Sequence, residues 1–152
     1  MPRWPNETVA CLTSRATQAN SSLWLAEATQ AIGGSVTTVE LAQNKADLAR
    51  ANFERSGLSC ITLMQMDATL LLEQSTTSGY DLVFLDSERS EYVHWWPQLR
   101  RVLRPGGLLV VDNATSHGHE LAPLMDAVKS DPEFMTCLVP IGKGEFLAAR
   151  SM

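Results

Sequence analysis

Two unbroken apolar runs constrain this chain more than anything else in it. Leu82-Val83-Phe84-Leu85 and Leu108-Leu109-Val110-Val111 contain no polar residue. A strand with one face in water alternates apolar and polar side chains, whereas a strand covered on both faces loses the alternation. Doubly covered strands belong to parallel sheets, whose crossover connections place helices on each side. The two runs therefore predict α/β layers around a mostly parallel sheet.

The rest of the chain supplies the alternation such a sheet needs. Strands are expected at Thr8 to Leu12, Val36 to Leu41, Cys60 to Gln65, Tyr80 to Asp86 and Leu108 to Asp112. Helical spacing connects them. Ser21 or Ser22 is placed to cap a helix through Ile32, with Gly33 and Gly34 as its stop. Asn44 to Ser56 carries the stripe Ala46, Ala49 and Phe53, with Gly57 at the left-handed exit and Leu58 placed to close on Phe53. Ala68 to Gln74 reads as a short helix. Glu91 to Leu103 is a helical pattern re-set by Pro97, and Pro105-Gly106-Gly107 is a hard turn. After a helix at His119 to Ser130, Phe134 to Ile141 and Glu145 to Arg150 form a hairpin around Gly142-Lys143-Gly144.

Composition narrows the function. The 152 residues suit one domain spanning 1–152, long enough for a true core. With 12 basic against 17 acidic residues the net charge is −5, so no nucleic-acid partner is expected. No apolar run approaches the roughly 20 residues of a membrane helix, so no membrane partner is expected. Met1 to Glu7 is polar, with no signal-peptide core. Cys11, Cys60 and Cys137 are scattered in apolar stretches and read as buried thiols, consistent with a cytoplasmic location.

In parallel sheets ligands bind at the carboxyl ends of the strands. Here four consecutive strands end on acids: Glu40, Asp67, Asp86 and Asp112, the last followed by Asn113. Turn and cap preferences account for Asp67 taken alone. Glu40 suits the hydroxyls of a ribose. Asp86 with Asp112 and Asn113, on neighbouring strands, offers three hard oxygen donors suited to Mg²⁺ or Ca²⁺.

Tyr80-Asp-Leu-Val-Phe-Leu-Asp86 and Arg104-Pro-Gly-Gly-Leu-Leu-Val-Val-Asp112-Asn113 resemble the class I S-adenosylmethionine-dependent methyltransferases. More narrowly, the chain resembles the metal-dependent O-methyltransferases of the catechol and caffeoyl-CoA type. Asp86, Arg89 and Tyr92, His117-Gly118, and Val36 to Glu40 with its following helix carry that closer likeness, which extends from about Leu23 to Arg150. The resemblance implies a Rossmann-like, doubly wound, seven-stranded sheet with an antiparallel last strand. It implies S-adenosylmethionine as cofactor, with Glu40 on the ribose and Asp67, Ala68, Asp86 and Ser87 at the cofactor site. It implies a divalent cation on Asp86, Asp112 and Asn113, and a small hydroxyl acceptor such as a catechol. Arg89 stands where relatives often carry a lysine base. Arginine stays protonated, so two routes are open: metal activation suffices without a base, or His117, which also reads as an exposed loop histidine, takes the proton. A homodimer is one assembly open to the chain, since a short N-terminal segment could leave an apolar patch that favours association.

The chain departs from this pattern between Leu12 and Trp24, where the cofactor loop carries glycines in relatives. Here Thr13 takes the acidic position, and Arg15 and Ala19 take the glycine positions. The N-terminal segment is short, and Trp4, Trp95 and Trp96 offer aromatic wall or simple packing. Two accounts fit: an O-methyltransferase with a divergent loop, and a non-catalytic relative acting as a binding module or subunit. A dinucleotide oxidoreductase lacks its Gly-x-Gly-x-x-Gly loop.

Overall fold

A computed structural model describes residues 8–13 and 20–152. The elements are β1 (Thr8–Thr13), α1 (Asn20–Ala31), β2 (Ser35–Val39), α2 (Gln43–Ser56), β3 (Ile61–Met64), α3 (Ala68–Gln74) and β4 (Tyr80–Asp86). A 3₁₀ turn at Arg89–Glu91 leads into α4 (Tyr92–Val102), then β5 (Leu103–Val111), α5 (Gly118–Lys129), β6 (Phe134–Val139) and β7 (Glu145–Arg150). The strands form one seven-stranded sheet in the order β3-β2-β1-β4-β5-β7-β6. Only β7 runs against the others, pairing antiparallel with both β5 and β6. The chain reverses its winding between β1 and β4, which places the topological switch there.

The two apolar runs lie at the centre, as their lack of alternation requires. Val83, Leu85, Leu109 and Val111 face Tyr92, Trp95 and Leu99 of α4 and Leu121, Leu124 and Val128 of α5. Leu82 and Phe84 point the other way, packing against the cluster of Val9, Cys11, Ala26 and Val36. Each fully buried aliphatic side chain contributes about 1.5–3 kcal/mol, so the central strands are the best-anchored part of the sheet. In α2 the stripe of Ala46, Ala49 and Phe53 is buried, and the helix ends at Gly57 with φ of 70°.

Several local expectations are corrected. Ser21 and Ser22 do not cap α1, which already starts at Asn20. Ser22 is instead buried, its hydroxyl donating to Thr38 Oγ1 at 3.1 Å and reaching Cys11 Sγ at 3.3 Å. Leu58 joins the cluster around Val9 and Cys11, and its N–H donates to Ser56 Oγ rather than closing a turn over Phe53. Pro97 does not restart a helix: α4 runs through it. Its ring sits on the exposed side, while Tyr92, Trp95, Leu99 and Val102 bury an uninterrupted stripe that outweighs the lost hydrogen bond. Pro105-Gly106-Gly107 is absorbed within β5, where pairing jumps from Tyr80–Leu103 to Leu82–Leu108. Gly106 takes φ of 75°, and a Cβ on Gly107 would stand 2.9 Å from the Arg104 carbonyl oxygen. Of the three thiols only Cys11 is buried; Cys60 is half-buried and Cys137 exposed, because β6 is an edge strand.

Candidate functional site

β4 and β5 are hydrogen-bonded neighbours, so Asp86 and Asp112 emerge side by side at their carboxyl ends. The Asp112 N–H donates to the Leu85 carbonyl at 3.0 Å, extending the ladder by one residue. Asn113 then turns left-handed at φ of 65°, a conformation asparagine tolerates. Its N–H donates to Asp112 Oδ1 at 2.5 Å, and its Nδ2 lies 3.4 Å from Asp86 Oδ1. The three predicted oxygen donors are thus adjacent.

A fourth joins them. Val111 pairs with Phe146 on the antiparallel β7, so Glu145 falls opposite Asp112. Partial burial, hydrogen bonding to Asp112 and repulsion from Asp112 and Asp86 push its carboxyl up to about 7. Its Oε2 is buried without a hydrogen-bond partner. The individual residue gave no sign of this. The signal lay in the hairpin register, which sets the residue before Phe146 beside the one after Val111. The hairpin is laced to the Asn113 loop: Ala114 N–H donates to the Gly144 carbonyl, and the Thr115 and Ser116 N–H groups donate to that of Lys143.

On the far side of β1, Glu40 follows β2 and is 3% exposed. Its Oε1 accepts the Ala42 N–H at 2.9 Å, at the start of α2. Its Oε2 is buried and has no partner. A bare buried carboxylate oxygen is costly unless something donates to it. A ribose diol supplies that donor, so Glu40 fits the group expected there. Asp67 caps α3, accepting the Thr69 N–H through Oδ1 at 2.7 Å, and Ala68 is the first residue of that helix. Ser87 is buried just after β4, its N–H donating to the Tyr92 hydroxyl. Burial, above all, holds that hydroxyl well above the usual tyrosine range. Arg15 and Ala19 lie outside the described residues, as does Trp4; Thr13 ends β1 opposite Asp86.

Arg89 is 6% exposed, and its Nε donates to Glu120 Oε2 at 2.9 Å. That contact ties the segment after β4 to the first turn of α5. His117 sits at the N-terminus of α5, its Nδ1 2.9 Å from Ser116 Oγ. It lines a recess of about 290 Å³ between Thr115 and Glu120.

The donor chemistry at Asp86, Asp112 and Asn113 fits a hard divalent cation: two carboxylates and an amide oxygen, with Glu145 adding to the negative charge a cation would neutralise. Among the described residues no three His, Cys, Asp or Glu side chains are arranged to hold a metal.

The O-methyltransferase family model matches residues 18–151. The chain belongs to the O-methyltransferase family. It is 28% identical over 144 residues to a putative O-methyltransferase of Mycolicibacterium vanbaalenii, covering 86% of this chain and 63% of that protein. It is 30% identical over 105 residues to a catechol O-methyltransferase of Niastella koreensis, covering 66% of this chain and 47% of that one. The chain thus spans under two thirds of the length of these relatives. An O-methyltransferase from Bacillus cereus, solved in complex with SAH, superposes with a TM-score of 0.82 at 18% identity, covering 95% of this chain and 74% of that chain. The Rossmann-like fold of the family is the fold described above. Among the described residues no helix is long and apolar enough to cross a membrane.

Proposed function

We propose that this chain transfers a methyl group from S-adenosylmethionine to a hydroxyl of a small, catechol-like acceptor, with a divalent metal ion. The observation that carries the reading is the buried, partnerless Oε2 of Glu40 at the carboxyl end of β2, one strand from the topological switch. It would accept from the ribose hydroxyls while Oε1 stays on the Ala42 N–H. Asp67, Ala68 and Ser87 would border the adenine. Asp86, Asp112 and Asn113 would hold the cation. The cation, when bound, lowers the pKa of the acceptor hydroxyl and fixes its oxygen toward the methyl carbon.

The chain's own residues do the rest. Asp86 and Asp112, fixed by the β4–β5 ladder, orient the acceptor. His117 receives the hydroxyl proton directly or through Ser116. Arg89, ion-paired with Glu120, holds the strand-end segment, and a guanidinium offers no site for that proton. The C–S bond of the sulfonium breaks as the C–O bond forms, leaving a neutral thioether.

Calorimetric titration with S-adenosylhomocysteine, with and without Mg²⁺, tests this. Micromolar binding supports it, and a catechol screen follows. No binding at millimolar cofactor by a folded protein overturns it in favour of a non-catalytic relative, the reading favoured by Arg15 and Ala19 at the loop's glycine positions.

A further inference from the structure

Trp95 does more than pack, and it is no aromatic wall. It is 6% exposed, yet its indole N–H donates to Thr69 Oγ1 at 3.1 Å. Thr69 in turn donates its backbone N–H to Asp67 Oδ1 at 2.7 Å, in the first turn of α3. On its other side Trp95 meets Tyr92, with ring centroids 5.5 Å apart and planes tilted by 33°. The Tyr92 hydroxyl accepts the Ser87 N–H. That buried N–H needs a side-chain partner, because the pairings of β4 with β1 and β5 end at Asp86 and Leu85. A buried chain of contacts therefore runs from Ser87 through Tyr92, Trp95 and Thr69 to Asp67. Its two ends are the segments that border the adenine in the methyl-transfer reading. In the sheet β2 and β1 lie between β3, which leads into α3, and β4. No ladder sets the distance between those two segments.

We propose that Tyr92 and Trp95 are positioning residues, a bracket that fixes the width of the adenine slot by tying Ser87 to the start of α3. The inference rests on the methyl-transfer reading. Tyr92 is 1% exposed, so both residues act through Ser87 and Thr69 rather than by touching the base. Satisfied buried polar links rigidify what they join. The aromatic pair between them adds a preferred geometry of its own. A slot already held at its bound width spares the ligand the cost of ordering two segments on binding. Met66 and Ala68, on either side of Asp67, pack against the same buried cluster as Tyr92 and Trp95, so a shift of the bracket reaches the slot directly.

Calorimetric titration of the full chain with S-adenosylhomocysteine and, at higher concentration, with adenosine reads the outcome. Tyr92→Phe removes the hydroxyl, and Thr69→Val removes the acceptor of the indole N–H; each keeps the shape of the side chain. Each is expected to weaken binding about fivefold, and by the same factor for both ligands, because adenosine keeps the base. The links act in series, so the double variant loses little more than one single variant. Tyr80→Phe is the control. Tyr80 is buried at the other end of β4, its hydroxyl 3.1 Å from Ser75 Oγ, so the variant gives up a similar contact and leaves both affinities unchanged. Circular dichroism verifies that the variants fold. Wild-type affinity in folded Tyr92→Phe and Thr69→Val overturns the inference and leaves the methyl-transfer reading standing. So do losses that add in the double variant, or an equal loss in Tyr80→Phe. A wild-type chain that binds neither ligand overturns that reading and the inference with it.

Discussion

The β5–β7 pair carries charge at both ends, and the two ends treat it oppositely. Near the start of β5 the charges of Arg100, Arg150, Asp131 and Glu133 are matched. Arg100 donates to Asp131 at 2.7 Å and to Glu133 at 2.5 Å; Arg150 donates to Glu133 at 3.0 Å and to the carbonyls of Arg100 and Leu103 at 3.0 and 2.6 Å. There, despite partial desolvation, hydrogen bonds from the Glu133 N–H and Arg100 hold Asp131 below its ordinary range. At the other end Glu145 lies beside Asp112 and Asp86, and partial burial together with that crowding raises its carboxyl to about 7. One cluster holds β6 and β7 to α4. The other costs stability, and such a cost persists where a ligand is meant to relieve it.

Four measurements break or sharpen that contrast. Asp112→Ala should lower methyl transfer by a hundredfold or more, unrestored by excess Mg²⁺; retained transfer would remove the cation from the account. Arg150→Ala, at the matched end, leaves Glu133 and two carbonyls short of a donor. It should cost about 2–4 kcal/mol in chemical denaturation. Glu40→Gln replaces a charged acceptor with a neutral one and should weaken S-adenosylhomocysteine binding about tenfold in calorimetry. If affinity is unchanged, Glu40 does not hold the ribose.

Glu145→Gln should give the smallest change, and a favourable one. The folded-state pKa of Glu145 lies near 7, above its ordinary 4.5. Between those values the folded chain keeps a proton that the unfolded chain has released. Stability contributed by the protonated form is therefore full below pH 4.5 and lost as pH rises through 7. Gln cannot ionise, so the variant should match wild type in acid and exceed it by about 1 kcal/mol at pH 8. That figure is well below full linkage because the carboxyl is partly screened by water. Denaturant midpoints at the two pH values measure it. An equal effect at both would mean that the folded chain does not raise the Glu145 carboxyl.

Most of the fold was legible because burial on both faces leaves a mark that needs no partner to interpret. β4 fell on the expected residues for that reason, while α3 and β7 did so through helical spacing and the glycines of the hairpin turn. The misplacements share a cause: local chemistry overruled by packing elsewhere. Pro97 signals a helix start, yet the stripe from Tyr92 to Val102 holds α4 through it. Pro105-Gly106-Gly107 signals a turn, yet β4 on one side keeps the segment in the sheet. At the site, Asp86, Asp112 and Asn113 were readable because Asp86 ends β4 and the Asp112-Asn113 pair follows β5. Glu145 begins one, and only a register across two strands brings it there.

The lacing between the hairpin and the Asn113 loop has a consequence for how this region can change. A Cβ on Gly144, which sits at φ of 86°, would lie 1.9 Å from Thr115 Oγ1 and 2.7 Å from the Thr115 nitrogen. No side chain fits between the two backbones. The hairpin and the loop therefore form a single mechanical part, and any gain or loss of residues in one must be matched in the other. Change of shape along this edge across descendants of the sequence would have to enter through paired changes here, or else through segments that do not touch this seam.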